Sequence, residues 1–370
     1  MIAIVGSGLA GLAAAARLAR AGHEVVVLER EPVPGAGVAV SAEPGGTVIC
    51  LPAAWRDLFR KSGRGLDAEL ARAGLDLVPA PPREHHLADG TVLALPTDRG
   101  EQWAVLGASF GEATAAAWRD LLDQLDDTWL VLRHLGLEAE FTGRLDAGDR
   151  AALRPRRSLA AVAALVPELS EVVLDIAARL GQEPRRLPGW HAARLAVERT
   201  FGRWQLVGTD GEARPADVLV PLLVDRLDAR GVQIRTDTEV YSIRPAEGGG
   251  HELRTAAGTV RAEAVISTID PFSHADLTRE RVDGRVARQL RRSPAGGPRW
   301  LSWRTLYDLP LLQPARPGVL VASAWSPGGP DAWAQLLTGA LAAYRVHEEL
   351  TGEDMRPTNK EYRPGPLPRR

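Results

Sequence analysis

The first thirty residues constrain the fold of this chain more than any other part of its sequence. Residues 1–5 (Met-Ile-Ala-Ile-Val) predict a short buried strand that runs directly into residues 6–11, Gly-Ser-Gly-Leu-Ala-Gly, a complete G-x-G-x-x-G motif. A helix rich in Ala and Leu over 12–21 and a second strand over 24–28 are predicted to follow. This order of elements, at this length, is typical of a dinucleotide-binding unit.

Each glycine of the motif has its own physical role in such a unit. Gly6 permits a tight turn, Gly8 lets the backbone approach a pyrophosphate, and Gly11 lets the helix pack closely on the strand. The helix N-terminus supplies free N–H groups and a partial positive charge. Glu29 lies 18 residues after Gly11, where a carboxylate accepts hydrogen bonds from a ribose hydroxyl. Because this carboxylate would repel a 2′-phosphate, we expect a dinucleotide that lacks the 2′-phosphate of NADP.

Composition excludes several other classes of protein. The net charge of −2 over 370 residues gives no reason to expect nucleic acid as a partner. Cys50 is the only cysteine, so no disulfide can form within the chain, and we expect a reducing, cytoplasmic location. No stretch approaches the roughly 20 apolar residues of a membrane span. Residues 1–16 carry the glycine motif without a basic leader, which indicates fold rather than signal peptide.

The order of the later elements predicts the fold class. A helix over 216–230 and a strand over 232–236 precede a three-stranded meander over 239–262, and strands over 264–268 and 318–323 lead to a last helix over 331–350. Mostly helical segments over 113–135 and 145–180 fall between these sheet strands. We therefore expect an α/β fold: a Rossmann-like domain with a mostly parallel sheet and a β-meander, interrupted by an α+β domain.

Several of these segments resemble the FAD-dependent amine oxidase and phytoene desaturase superfamily, and especially its bacterial phytoene desaturase branch. The matching stretches are 27–32 (Val-Leu-Glu-Arg-Glu-Pro), 51–59 (Leu-Pro-Ala-Ala-Trp-Arg-Asp-Leu-Phe), 264–271 (Ala-Val-Ile-Ser-Thr-Ile-Asp-Pro), and Pro327-Gly328 followed by 338–343. The resemblance implies an FAD-binding domain over residues 1–52, 212–272 and 316–350. It implies a substrate-binding domain over 53–211 and 273–315, and we expect the tail, 351–370, to be disordered.

The resemblance also implies which residues hold FAD. The glycine motif would hold the ADP half, Val240 would contact the adenine through its backbone, and the last strand–loop–helix would approach the flavin. The expected cofactor residues are Gly6, Ser7, Gly8, Leu9, Ala10, Gly11, Glu29, Arg30, Gly35, Val240, Pro327 and Gly328. For Val240, an ordinary strand residue is an equally good interpretation. With a single cysteine, C-terminal cysteinyl attachment of flavin is excluded, so the resemblance implies non-covalent FAD.

The chain also departs from the family pattern. Ala36 and Gly37 stand where the family has a second glycine and a basic residue, Glu43 replaces the usual Asp, and Ala322 replaces a glycine. The second excursion, over 273–315, has only 43 residues, fewer than the family usually places there. These departures leave room for a degenerate FAD-binding protein without catalytic activity.

The implied activity is dehydrogenation of an apolar, terpenoid- or carotenoid-like small molecule. A flavin supplies the hydride chemistry while the protein positions the substrate, so no catalytic triad is expected and the catalytic residues stay unassigned. Lys61 and Lys360, the only lysines, are poorly placed for the active-site lysine common in amine oxidases. This activity has two alternatives: another flavin reaction on the same scaffold, such as amine oxidation or isomerisation, and the degenerate protein described above.

Histidines give weaker signals. His191 could accept a proton, line the substrate pocket, or serve a structural role. His85 and His86 are adjacent on a predicted strand and therefore point to opposite faces. Since no other His or Cys lies at ligand spacing, we expect no metal.

The segment over 279–304 is strongly basic. It carries eight arginines, an apolar stripe of Val282, Val286 and Leu290, and the tryptophans Trp300 and Trp303. One interpretation is an amphipathic helix that contacts an anionic membrane. The other is a solvated helix face whose apolar stripe packs on the core.

Overall fold

The computed structural model describes residues 1–41, 43, 45–141, 143–282, 284, 287 and 317–356. Its strands are β1 (Ile2–Val5), β2 (Val25–Leu28), β3 (Val48–Cys50), β4 (Leu75–Pro79), β5 (Arg83–His86), β6 (Val92–Leu95), β7 (Arg203–Gly208), β8 (Ala213–Arg214), β9 (Gln233–Arg235), β10 (Val240–Pro245), β11 (His251–Thr255), β12 (Gly258–Ala262), β13 (Ala264–Ser267) and β14 (Val319–Val321).

The α-helices of the same residues are α1 (Leu9–Arg20), α2 (Pro52–Ser62), α3 (Leu66–Arg72), α4 (Arg99–Phe110), α5 (Glu112–His134), α6 (Ala147–Leu153), α7 (Leu159–Ala163), α8 (Ser170–Arg179), α9 (Ala193–Phe201), α10 (Leu219–Asp228), α11 (Pro271–Thr278) and α12 (Ala332–Thr351). Short 3₁₀ turns occur at Pro167–Leu169, Gly189–Ala192 and Ala216–Val218.

A parallel sheet organises the N-terminal unit. Within the described residues its strand order is β14-β13-β1-β2-β9, and every neighbouring pair is parallel. In the register, Ile4 lies between Ile266 and Val27. All residues of β1, β2, β13 and β14 are buried, as expected for strands covered on both faces. The sheet confirms the predicted α/β, Rossmann-like fold.

The meander and the helices cover opposite faces of this sheet. Strands β10, β11 and β12 pair antiparallel in sequence order, as predicted. Leu253 and Val260 of the meander share a core with Ala3 and Val265 of the sheet. On the other face, α1, α10 and α12 pack with Ile2 and Ile4.

Helix α1 is held between the sheet and α12 by two close backbone approaches. The helix begins at Leu9, three residues earlier than predicted, and it therefore includes Gly11. A Cβ at Gly11 would lie 2.5 Å from the carbonyl oxygen of Gly6, and a Cβ at Gly339 of α12 would lie 2.2 Å from that of Ala10. Both glycines are needed because no side chain fits between these backbones.

Helices α4–α9 and the hairpin β5–β6 form a second core. Helices α4–α9 pack around buried residues such as Leu106, Trp118 and Val173, beside the antiparallel sheet β3-β7-β4 and its partner β8. Trp55 and Phe59 of α2, however, belong to the core of the N-terminal unit. The predicted domain boundaries at residues 52/53 and 211/212 stay predictions. Most of the second excursion, and residues 357–370 of the tail, lie outside the described residues.

The hairpin β5–β6 places its two histidines on opposite faces, as predicted. His85 is buried opposite Leu93, whereas His86 is exposed. Burial and, next, the positive charge of Arg83 lower the pKa of His85 from 6.5 to about 4. The folded protein therefore keeps this imidazole neutral at pH values where the unfolded chain would protonate it.

We expect His85 to make the protein less stable in acid. Because its folded pKa lies below its unfolded pKa, the unfolded state binds more protons between these values, and stability falls as the pH drops from about 6.5 to about 4. The loss from this group should be on the order of 3 kcal/mol. Urea unfolding of His85→Gln across this range should show a shallower pH dependence than the wild type. His86→Gln is the matched control, and an unchanged slope in His85→Gln would contradict the assignment.

Candidate functional site

The glycine turn opens into a cavity of about 720 Å³, here called the glycine-turn cavity. Of the predicted cofactor residues, those that line it are Gly6, Ser7, Gly8, Glu29, Arg30 and Val240. Leu9, Ala10 and Gly11 lie in the first turn of α1 and are buried. Residues from the ends of β1, β2 and β13 thus meet at one edge of the parallel sheet, where ligands bind in open α/β sheets.

Thr268 fixes the shape of the turn. Gly6 has a φ of +94°, and a Cβ there would lie 2.7 Å from the hydroxyl oxygen of Thr268. That hydroxyl donates to the carbonyl oxygens of Val5 at 2.9 Å and Gly6 at 3.0 Å. Sequence reasoning placed Thr268 at the end of a buried strand but missed this role, because the partners are about 260 residues apart.

Gly8 leaves the N-terminus of α1 open to the cavity. It is the N-cap residue, with φ −63° and ψ 168°, and no side chain caps the helix. A Cβ at Gly8 would meet no atom within 4 Å, so fold packing does not require glycine at this position. The first N–H groups of a helix have no acceptor within the helix, and together with its dipole they favour an anion.

Glu29 is held at the cavity wall by a small hydrogen-bond network. One carboxylate oxygen accepts from the N–H and the hydroxyl of Ser7, both at 2.6 Å, and the other accepts from the N–H of Glu31 at 2.9 Å. The Ser7 hydroxyl also accepts from the N–H of Gly35 at 2.8 Å. The oxygen that accepts only from Glu31 has further acceptor capacity, so Glu29 can still bind a sugar hydroxyl. Arg30 is exposed and pairs with Glu31 at 3.0 Å.

A second cavity, of about 570 Å³ and here called the middle cavity, adjoins the first. Gly8, Ala36 and Gly37 line both cavities and carry no side chain larger than a methyl group, so the two adjoining spaces are described as one crevice that begins at the glycine turn. Its apolar wall includes Val38, Val40, Val48, Ile176, Leu180, Val197, Trp325 and Trp333. The crevice suits an elongated molecule with a charged end and a flat apolar end.

A buried network of ion pairs contributes Glu43 and Glu198 to the lining of the middle cavity. Glu43 pairs with Arg203 at 2.5 Å and with Arg83, which also pairs with Glu198 at 3.0 Å. Burial alone would raise the pKa of Glu43, but the hydrogen bond from Arg203 and the charge of Arg83 lower it overall. Glu43 is therefore ionised and a weak base.

Cys50 lies beside this network. Burial raises the pKa of its thiol, so the thiolate is disfavoured. The possible ligand atoms of Glu43, Cys50 and Glu198 lie within 4.8 Å of one another. Arginines already neutralise both carboxylates, which favours an ion-pair network over a cation site.

A third cavity, of about 60 Å³ and here called the tryptophan cavity, lies on the far side of the middle one. Trp129, Trp190 and Trp333 line it. The predicted cofactor residues Pro327 and Gly328 line this cavity rather than the other two.

An ion pair stands between the tryptophan cavity and the middle cavity. Arg194 donates to Asp331 at 2.6 Å and to Nδ1 of His191 at 2.6 Å. Burial and, next, the charge of Arg194 hold the pKa of His191 well below its usual value. His191 thus lines a cavity, which is one of the three roles that the sequence suggests for it. Its neutral ring accepts the hydrogen bond that orients Arg194.

Comparisons with known proteins fit this geometry. The chain matches the family model described as FAD dependent oxidoreductase over residues 1–297. It is 31% identical over 289 residues to the hydroxyneurosporene desaturase of Cereibacter sphaeroides, covering 73% of this chain and 56% of that protein. It is 26% identical over 282 residues to the phytoene desaturase (neurosporene-forming) of the same organism, covering 72% and 52%. The chain spans about half the length of these curated relatives.

One solved structure shows the same fold along nearly the whole chain. The cyclohexylamine oxidase from Brevibacterium oxydans IH-35A matches with a TM-score of 0.59, covering 94% of this chain and 99% of that one, at 14% identity.

Among the described residues, no helix has both the length and the apolar character needed to cross a membrane.

Proposed function

The chain belongs to the family of FAD-dependent oxidoreductases, and from this premise we propose that it dehydrogenates an apolar, terpenoid-like small molecule. The observation that carries the proposal is the continuous crevice, whose glycine-turn end suits a diphosphate and whose middle cavity has a mainly apolar wall. The names of the two relatives, a hydroxyneurosporene desaturase and a phytoene desaturase, support the same class of substrate.

The residues of the glycine-turn cavity fit the ADP half of FAD. The uncapped N-terminus of α1 and the open space at Gly8 suit a diphosphate. We place Glu29 at the ribose and Val240 at the adenine, with Arg30 at the rim. Gly35 supports the site indirectly, since its N–H holds the Ser7 hydroxyl. The flavin end would then extend into the middle cavity, while Pro327 and Gly328 lie farther away.

The chain itself would mainly position the substrate and exclude water. FAD, when bound, accepts hydride. Val40, Val197 and Trp333 offer apolar contacts that would orient a hydrocarbon chain in the middle cavity. Glu43 is a poor proton acceptor because its arginine partners lower its pKa. We therefore leave the proton acceptor unassigned.

Anaerobic reaction with phytoene tests this function. The FAD-loaded protein, mixed with phytoene in liposomes, should lose its visible flavin absorbance and form a product with a longer conjugated polyene. Peroxide released with amines in air would instead indicate amine oxidation. Tightly bound FAD that neither substrate nor light can reduce would indicate a non-catalytic FAD-binding protein.

We also propose that the basic segment over 279–304 contacts anionic membrane. Residues 283, 285–286 and 288–304 of it lie outside the described residues, so this proposal rests on the sequence, with eight arginines and the tryptophans Trp300 and Trp303. An apolar substrate dissolved in lipid would need such a contact. The protein should co-sediment with anionic vesicles at low salt and detach at high salt. Equal recovery in the supernatant with and without vesicles at low salt would overturn the proposal.

A further inference from the structure

The middle cavity and the tryptophan cavity adjoin at four side chains, here called the wall. Arg194, Val197, Asp331 and Trp333 line both cavities, and each has a side chain of several atoms, unlike Gly8 and Gly37 at the other end of the crevice. They come from two helices, because Arg194 and Val197 lie on α9 while Trp333 lies in the first turn of α12, which Asp331 precedes.

The polar part of the wall is fixed in place. Arg194 and Asp331 are mostly buried, with side chains 21% and 16% exposed, and their charged groups lie 2.6 Å apart. His191 accepts a second hydrogen bond from Arg194. An apolar chain that pushed between these groups would have to separate two largely desolvated charges. Since it could not offer either charge a new partner, the separation would be costly.

The space behind the wall is lined largely by aromatic and aliphatic side chains. Trp129 stacks edge-to-face on Trp333, with ring centroids 5.4 Å apart, and on Phe201 at 6.3 Å. The cavity of about 60 Å³ equals roughly two water volumes. It could accept the end of an apolar chain only if the ion pair were absent.

We propose that the Arg194–Asp331 ion pair sets the maximum length of substrate chain that the middle cavity binds. This proposal rests on the proposed function, because it assumes that an apolar substrate occupies that cavity. The pair acts as a specificity determinant: its side chains close the cavity, and their mutual attraction keeps it closed. Removing the pair would join the two cavities and add the space that the two side chains now occupy.

A series of isoprenoid alcohols of increasing length tests whether the Arg194–Asp331 ion pair sets this limit; the proposed limit is here called the partition. Geraniol, farnesol and geranylgeraniol each differ by one isoprenoid unit, and their affinities for the FAD-loaded protein can be measured by calorimetry in dilute detergent. In the wild type, affinity should stop rising beyond one of these lengths. In the double variant Arg194→Ala/Asp331→Ala, affinity should continue to rise for one further isoprenoid unit, by about 10-fold. Asp331 makes no side-chain cap of α12, so its replacement removes no helix cap.

Arg194→Lys is the matched control because it retains a positive charge opposite Asp331. It should keep the wild-type length limit. The same limit in the double variant and the wild type, or no limit in the wild type, would overturn the partition. Flavin bleaching by phytoene in the same preparations separates the two proposals: intact bleaching with an unchanged limit overturns only the partition, whereas absent bleaching with a shifted limit overturns only the proposed dehydrogenation.

Discussion

Replacing Gly8 with aspartate is expected to lower the affinity for FAD by about 100-fold or more while leaving the apoprotein fully folded. The new side chain would enter open space, since a Cβ at Gly8 meets no atom within 4 Å, and the φ of −63° is allowed for any residue. Its carboxylate would then occupy the place that we assign to the diphosphate and repel it. A loss of 100-fold corresponds to about 2.7 kcal/mol of binding free energy.

The thermal stability of the apoprotein should be unchanged or higher. Aspartate is at least as good an N-cap as glycine, so thermal unfolding of Gly8→Asp without FAD should occur at the wild-type midpoint or above it. Gly65→Asp is the matched control: Gly65 is the N-cap of α3, with φ −63° and ψ 154°, and also faces open space. That control should bind FAD normally. Normal FAD affinity in Gly8→Asp would show that the diphosphate does not lie at this helix.

Replacing Glu43 with glutamine should destabilise the apoprotein by about 3 kcal/mol, the second large effect we expect. The substitution would remove the negative charge between Arg83 and Arg203, which are both largely buried. Removing one partner of a buried ion pair leaves the other charge uncompensated, at a cost of about 3–5 kcal/mol. The low end applies here because Arg83 keeps Glu198 at 3.0 Å and Arg203 keeps the carbonyl oxygen of Pro81 at 2.6 Å.

Urea unfolding of the apoprotein measures this loss. Glu252→Gln provides the comparison, since Glu252 makes an ion pair with Arg261 whose side chain is 73% exposed. Such a surface pair contributes at most about 1 kcal/mol. If Glu43→Gln were no less stable than Glu252→Gln, the buried network would not hold the polar wall of the middle cavity together.

The N-terminal unit could be predicted from sequence because its determinants are local. The apolar strands, the glycine turn and Glu29 lie within thirty residues, and their spacing indicates both fold and ligand. The predicted start of α1 is three residues late, because glycine disfavours helix interiors. Gly11 lies inside the helix all the same, since tertiary packing brings its backbone against the Gly6 carbonyl.

The polar groups of the deeper cavities could not be predicted in the same way. The chain departs from the family pattern at Glu43, but nothing local shows that Arg83 and Arg203 converge on it from 40 and 160 residues away. Arg194 and Asp331 are likewise 137 residues apart. Pairings at such separations depend on how distant strands, helices and loops pack together, and single-sequence patterns do not contain that information.

The central claim is that the crevice beginning at the glycine turn holds FAD. The most direct test is the visible absorption spectrum of the purified protein after incubation with FAD and removal of the unbound flavin. We predict that the wild type retains one equivalent of flavin with a shifted spectrum, and that Gly8→Asp retains almost none. A colourless wild-type protein, or equal retention by both proteins, would contradict the claim.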